Sequence, residues 1–179
     1  MKLVVLDRDG VINYDSVHFI KSTNEWIPIP GSLEAIALLN QNGYRVAIAT
    51  NQSGISRGLF DMVTLNAIHD KMHRALGQLG GRIDAMFYCP HSAEDNCSCR
   101  KPKPGMMEEI GRRFSQDMKS VPIVGDALRD LQAGAVLGMQ PMLVRTGKGE
   151  ETLAAGRLPE GTLVFADLAE AVQHIIAKS

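Results

Sequence analysis

No apolar run in this sequence approaches the roughly 20 residues that a membrane-crossing helix requires, so no helical membrane span is expected. Excess charge is missing as well: 19 Lys and Arg stand against 20 Asp and Glu, a formal net charge of −1. That balance offers no broad pull toward nucleic acid or an anionic membrane. Neither is expected as a partner, and any bound phosphate must be held by charge arranged locally. Cysteine is scarce and odd in number, three residues between positions 89 and 99, which argues against a disulfide framework. The opening MKLVVLD carries neither a basic leader nor a signal-type apolar stretch with a cleavage site, and a cytoplasmic location is the expectation. Internal repeats, low-complexity tracts and long linkers are also absent. A single domain over residues 1–179 is expected, with enough chain for a substantial core, and nothing demands more than a monomer.

What is present is a balanced globular composition, 45% apolar and 22% charged, arranged as short apolar runs that alternate with amphipathic stretches. Leu3–Leu6 is continuously apolar, as expected of a central strand buried on both faces. Ser32–Gln41 reads as a helix with Ser32 as its N-cap and Asn42-Gly43 as its stop. Strands are expected at 46–49, 83–88, 121–124, 142–145 and 163–165. Further helices are expected at 64–78, 105–114 and 129–138, with a closing helix capped by Asp167. This alternation predicts an α/β fold, a Rossmann-like three-layer sandwich with a central parallel sheet. Ligands in such sheets bind beyond the carboxyl ends of the strands.

The residues that follow those strand ends are chemically complementary. They are Asp7-Arg8-Asp9-Gly10, Thr50-Asn51-Gln52-Ser53 and Gly125-Asp126, with Arg100-Lys101 just ahead of a helix. A carboxylate at a strand end can attack phosphorus and split a hydrolysis into two displacements. A second carboxyl two residues on can protonate the leaving oxygen and then activate water. Asp7 and Asp126 suit Mg²⁺, a hard cation that prefers oxygen ligands. Thr50 offers a hydroxyl and Lys101 a point charge to the phosphoryl oxygens. Asp130, one helical turn beyond Asp126, is placed to orient that set. Any one of these segments alone is an ordinary turn or cap; their joint occurrence at successive strand ends points to phosphoryl chemistry.

Cys89, His91, Cys97 and Cys99 place three thiols and an imidazole within eleven residues. Tetrahedral Zn²⁺ takes a Cys₃His set, and four protein ligands leave no open position, so the site is expected to be structural and to hold Arg100 and Lys101 at the phosphate. His69 and His73, spaced i, i+4, lack the Glu of a zinc-protease helix and a third ligand, and read as surface histidines.

Taken together, the segments resemble the four motifs of the haloacid dehalogenase superfamily of phosphohydrolases. Asp7-Arg8-Asp9-Gly10-Val11 is similar to the first, although many members carry Thr where Val11 stands; Thr50, Lys101 and Gly125-Asp126 through Asp130 are similar to the others. The resemblance implies an aspartyl-phosphate formed on Asp7 and an acid/base role for Asp9. It also implies Mg²⁺ held by Asp7, Asp126 and the backbone carbonyl of Asp9. The run Cys89-Pro90-His91 to Cys99-Arg100-Lys101-Pro102 is similar to two capless subgroups, acting on heptose bisphosphate and on histidinol phosphate. The segments Thr50–Gly58 and Val144–Gly149 lean toward the first, a phosphorylated heptose serving surface polysaccharide synthesis. Ala127, where some members of that subgroup have Lys, departs from the pattern. Without a cap, substrate is selected by loops, and the candidates are Asp15, Ser16, Val17, His18, Asn51, Gln52, Ser53, Arg57 and Arg100. Arg100 is the residue expected to meet the phosphate that is retained. A zinc-stabilised binding module with purely structural acidic residues is the reading from another class.

Overall fold

Alternate residues of the first strand enter two different cores, and this is why all of them are apolar. In the computed structural model, which describes residues 1–179, β1 (Leu3–Leu6) lies inside a six-stranded sheet. Val4 and Leu6 pack with Val46, Ile48 and Val124 under helices α1 (Ser32–Gln41), α2 (Met62–Gly77) and α6 (Leu168–Ala177). Leu3 and Val5 pack on the other side with Ala47, Ala49 and Ile123 against α3 (Gly105–Phe114) and Ala133 of α4 (Leu128–Ala135). The period-2 alternation of side chains thus builds a three-layer sandwich, as the sequence predicts.

The remaining strands are β2 (Arg45–Asn51), β3 (Ala85–Cys89), β4 (Pro122–Gly125), β5 (Gln140–Val144) and β6 (Leu163–Phe165). All pair in parallel, in the order β3-β2-β1-β4-β5-β6. The chain works outward from β1 to β3, then crosses back to lay β4 on the free side of β1. The strand order therefore reverses between β1 and β4, and the crevice beyond their carboxyl ends is where a ligand is received. The register aligns Leu6 with Ile48 and Val124, which sets the next residues, Asp7 and Gly125-Asp126, side by side. No helix is long and apolar enough to cross a membrane.

Several local expectations are corrected. Ser32 is the first residue inside α1 rather than its cap; Gly31, at φ 88°, takes the cap position while the Ser32 hydroxyl donates to the Val11 carbonyl at 2.9 Å. The third strand runs from Ala85 to Cys89, two residues later than expected at its start, because the Asp84 carboxylate accepts the Val46 N–H in place of a ladder carbonyl. The second helix begins at Met62 behind an Asp61 cap that accepts from the Thr64 N–H. A short helix, α5 (Gly149–Ala155), was not expected from the pattern. His69 is no surface residue: it is buried on the inner face of α2.

Candidate active site

Asp7 is the first residue past β1, its N–H still donating to the Val124 carbonyl, and its side chain is almost wholly buried. Asp126 follows β4 in the same way. The chain between Asp7 and Asp9 then has to turn under Asp126. Gly10 makes this possible: its φ is +84°, and a Cβ there would stand 2.0 Å from Asp126 Oδ2, so only glycine fits. The other side of Asp126 is held by the loop after β5. The Lys148 N–H donates to Asp126 Oδ2 at 2.9 Å, the Thr152 hydroxyl donates to its carbonyl at 2.7 Å, and the Thr146 hydroxyl donates to the Gly10 carbonyl at 2.6 Å.

Asp7, Asp126 and Asp130 bring carboxylate oxygens within 4.8 Å of one another. Lys101, fully buried, sits among them: its Nζ lies 3.1 Å from Asp7 Oδ1 and 2.7 Å from Asp130 Oδ1, and it donates to the Ala49 carbonyl at 2.7 Å. Burial would drive the proton off Lys101, but Asp130 and Asp7 outweigh it and hold the ammonium above its ordinary range. Asp130 stays ionised against Lys101 and Arg129 despite its burial. Asp7 and Asp126 have no such relief. Burial first, and then the neighbouring carboxylates, push Asp7 up to about 7 and Asp126 to about 8. Three carboxylates crowd one buried ammonium, and a hard dication with oxygen ligands would relieve the repulsion that raises Asp7 and Asp126.

Asp9 behaves differently. Arg8 Nε at 2.8 Å and Asn13 Nδ2 at 3.0 Å donate to its Oδ1, and Gln52 Nε2 at 3.2 Å donates to its Oδ2. Although burial opposes it, Arg8 and these donors hold the carboxyl below its ordinary range. Gln52 also donates to the Thr50 hydroxyl at 3.0 Å.

Lys101 is delivered to this place by a backbone-like pairing. Asn51 Nδ2 donates to the Lys101 carbonyl at 3.2 Å, and Asn51 Oδ1 accepts from the Lys101 N–H at 3.1 Å. The segment ahead of it is tied by Cys89, His91, Cys97 and Cys99, whose ligand atoms also fall within 4.8 Å of one another. His91 presents Nδ1 at 3.4 Å from both Cys89 Sγ and Cys99 Sγ; Cys89 Sγ lies 3.6 Å from Cys97 Sγ and 2.8 Å from Cys99 Sγ. Tetrahedral thiolates on zinc stand about 3.8 Å apart, so the first of these sulfur pairs is already at that spacing and the second would open by about 1 Å. Burial would raise the Cys97 thiol, yet the Arg100 N–H and the neighbouring thiols donate to it and bring it down to about 6, while burial pushes Cys89 up. Arg100 Nη1 donates to the His91 carbonyl at 3.2 Å, which ties the guanidinium to the same loop.

The cleft over these groups is about 340 Å³ and is lined by both acids and cations. Asp7, Asp9, Thr50, Lys101 and Asp126 all face it, as do Asp15, Ser16, Val17, Asn51, Ser53, Arg57 and Arg100. Two expected residues do not. His18 is exposed outside the cleft, and Gln52 is buried behind it, where it serves Asp9 and Thr50 instead of a substrate. Phe19, Arg129 and Lys148 line the cleft without having been singled out; Arg57 lies over the Phe19 ring at 5.7 Å, and Lys148 Nζ is 3.6 Å from Asp15. The Gly147-Lys148 turn after the fifth strand was visible as a motif but carried no signal that it would lean over Asp126. A larger groove of about 620 Å³ at the opposite edge of the sheet has an apolar floor of Leu3, Val121, Met142 and Ile175 and no carboxylate. It offers none of this chemistry.

A family model described as HAD-hydrolase-like matches residues 98–171. Over its full 179 residues the chain is 59% identical to the whole of a D-glycero-beta-D-manno-heptose-1,7-bisphosphate 7-phosphatase from Bordetella bronchiseptica. It superposes, with a TM-score of 0.99 and complete coverage of both chains, on the crystal structure of the D,D-heptose 1,7-bisphosphate phosphatase of B. bronchiseptica, a complex with magnesium and phosphate. A D,D-heptose 1,7-bisphosphate phosphatase structure from Burkholderia thailandensis is 56% identical, with a TM-score of 0.80 over 99% of each chain. Identity at this level over the whole length of both chains, on the same fold, settles the family: the chain belongs to the haloacid dehalogenase superfamily and, within it, to the D-glycero-beta-D-manno-heptose-1,7-bisphosphate 7-phosphatase family.

Proposed function

We propose that this protein removes the 7-phosphate of D-glycero-D-manno-heptose 1,7-bisphosphate through a phospho-Asp7 intermediate, as a step in making nucleotide-activated heptose for surface polysaccharide. The observation that carries the chemistry is the buried pairing of Asp7 with Lys101 at the floor of a cleft whose other acid, Asp9, sits two residues away. The substrate follows from family membership, with 59% identity to such an enzyme over the full length.

Asp7 and Asp126 through their carboxylates, and Asp9 through its backbone carbonyl, are the residues that would hold Mg²⁺. Bound there, the ion screens the phosphoryl charge from the attacking carboxylate. Asp7 attacks phosphorus; the bond to the sugar oxygen breaks, and that oxygen takes a proton from Asp9. The dianionic phosphate of the substrate favours that proton on Asp9 by like-charge repulsion. Asp9, ionised again, then takes a proton from a water whose oxygen attacks the phosphorus, which frees Asp7 and inorganic phosphate. Thr50 and Lys101 hold the equatorial oxygens, and Asp130 keeps Lys101 in place. Arg100 and Arg57 at the rim suit the phosphate that is retained, and Arg129 and Lys148 add charge on the Ala127 side. Zn²⁺ in the Cys₃His loop has a structural part: it fixes the segment that delivers Arg100 and Lys101. Every group comes from one chain, so the chemistry needs no second copy.

Phosphate release from heptose bisphosphate and from histidinol phosphate, by the parent and by Asp7→Asn and Asp9→Asn, tests this reading. The parent should prefer the heptose, and each substitution should lower kcat by about a thousandfold or more. A preference for histidinol phosphate would overturn the substrate, and turnover by Asp7→Asn near the parental rate would overturn the nucleophile.

A further inference from the structure

Arg8 stands between the two aspartates in sequence, yet it is absent from the cleft and has no exposed surface. Burying a guanidinium is unfavourable unless its N–H groups are matched. Its Nε and Nη2 each lie 2.8 Å from Asp9 Oδ1, and its Nη1 lies 3.0 Å from His69 Nε2 on α2. Arginine can only donate, so His69 Nε2 must accept, and the imidazole is neutral with its proton on Nδ1. Burial first, then Arg8 itself, push His69 down to about 3, which keeps that acceptor available at any working pH. The fork of Arg8 thus joins a helix 61 residues away to one oxygen of Asp9.

The consequence at Asp9 is an asymmetry. Oδ1 accepts from Arg8 Nε and Asn13 Nδ2 and has Arg8 Nη2 2.8 Å away as an ion-pair contact, while Oδ2 has the single 3.2 Å contact from Gln52. With its lone pairs committed, Oδ1 is a poor proton carrier; Oδ2 is the oxygen left to exchange a proton with the substrate. We propose that Arg8 and His69 are a positioning pair that locks the Asp9 carboxyl so that Oδ2 faces the bridging oxygen of the phosphate ester. The inference rests on the acid/base reading of Asp9. Neither residue touches substrate; both act through Asp9.

A group that positions the acid matters most where the leaving oxygen needs a proton. The sugar alkoxide of heptose bisphosphate needs one, whereas the phenolate released from p-nitrophenyl phosphate is stable without it. kcat/KM for both substrates is therefore measured for the parent and for His69→Leu, which keeps the bulk but removes the acceptor. The same is done for His69→Gln, whose amide oxygen can replace Nε2. His69→Leu should lose about tenfold or more on heptose bisphosphate and less than about threefold on p-nitrophenyl phosphate, and His69→Gln should recover to within about threefold of the parent. Equal losses on both substrates, no loss on either, or a Gln variant as impaired as the Leu variant would each overturn the proposal. Should His69→Leu fail to fold, Arg8→Lys carries the same expectation and the same refutation, because an ammonium keeps the charge but cannot span Asp9 and His69 together. Asp9→Asn, assayed on the same pair of substrates, separates the two levels. If it shows no dependence on the leaving group, the acid/base reading has failed; if it shows one that the His69 variants lack, only the positioning inference has.

Discussion

Replacing Asp130 by Asn changes a single oxygen, yet the surroundings of that side chain make the loss large. Oδ1 of Asp130 is 2.7 Å from Lys101 Nζ, and Oδ2 accepts the Ala127 N–H at 3.1 Å, both without access to water. Both partners are donors. An asparagine has one acceptor oxygen and one amide nitrogen, so either orientation turns the nitrogen toward a donor and loses one of the two interactions. Breaking a buried ion pair by removing one partner destabilises by about 3–5 kcal/mol. Lys101 keeps Asp7 and the Ala49 carbonyl, which places the expected loss at the low end, about 3 kcal/mol. At about 2–4 °C per kcal/mol for a chain of this size, Tm should fall by about 6–12 °C. The measurement is thermal and denaturant unfolding with saturating Mg²⁺. Without the cation the difference should be smaller, since the loss of Asp130 also relieves its repulsion of Asp7 and Asp126. kcat should fall in parallel, because Lys101 would then lean wholly on the nucleophile. An Asp130→Asn protein within about 1 kcal/mol of the parent in Mg²⁺, or one hurt more without Mg²⁺ than with it, would refute the reasoning.

The raised positions of Asp7 and Asp126, about 7 and about 8, give the cation dependence a sign. In the folded, cation-free protein these groups keep protons that the unfolded chain releases above about pH 4. The cation-free protein should therefore lose stability as pH rises through that window to about 8. Mg²⁺ requires both carboxylates and removes their repulsion, so the Tm gain it brings should be larger near about pH 8.5 than near about pH 6; a gain that does not change with pH would contradict the cluster. Elemental analysis should find about one zinc per chain. Stripping it should lower Tm and abolish phosphate release in a way that zinc, and not magnesium alone, restores. Retention of both properties after chelation, once magnesium is returned, would show that the Cys₃His loop needs no metal.

The positions of Asp7, Thr50 and Asp126 were legible in the sequence because strand direction carries them. In a parallel sheet every strand ends at the same edge, so a polar residue straight after an apolar run has a known address before its neighbours are known. The Cys₃His cluster was legible for another reason, since three thiols and an imidazole so close together in sequence form a donor set that suits a metal. Helix α3, bounded by Pro104 and the left-handed Ser115, fell where its pattern ended. The strand order did not follow from the alternation alone, and only the structure shows the crossover that seats β4 beside β1.

What the sequence could not convey is the direction in which side chains leave the loops. Asn51 and Gln52 are adjacent and chemically alike, yet Asn51 clasps the Lys101 backbone while Gln52 turns inward to Asp9. Arg8 lies between two cleft residues and points away from the cleft. His69 shares its helix with exposed residues, and its burial depends on which face of α2 meets the Asp7–Asn13 turn, a contact between segments about 60 positions apart. Lys148 reaches Asp126 only because Gly147, at φ +58°, lets the turn close over it; a Cβ there would meet Asp126 Oδ2 at 2.3 Å. Periodicity and residue type by themselves determined the sheet, its chemical edge and the Cys₃His cluster, because these are set by local burial, chain direction and closeness in sequence. Which buried donor meets which acceptor was decided only in the tertiary structure, because matching polar groups away from water is settled by long-range packing that no local pattern encodes.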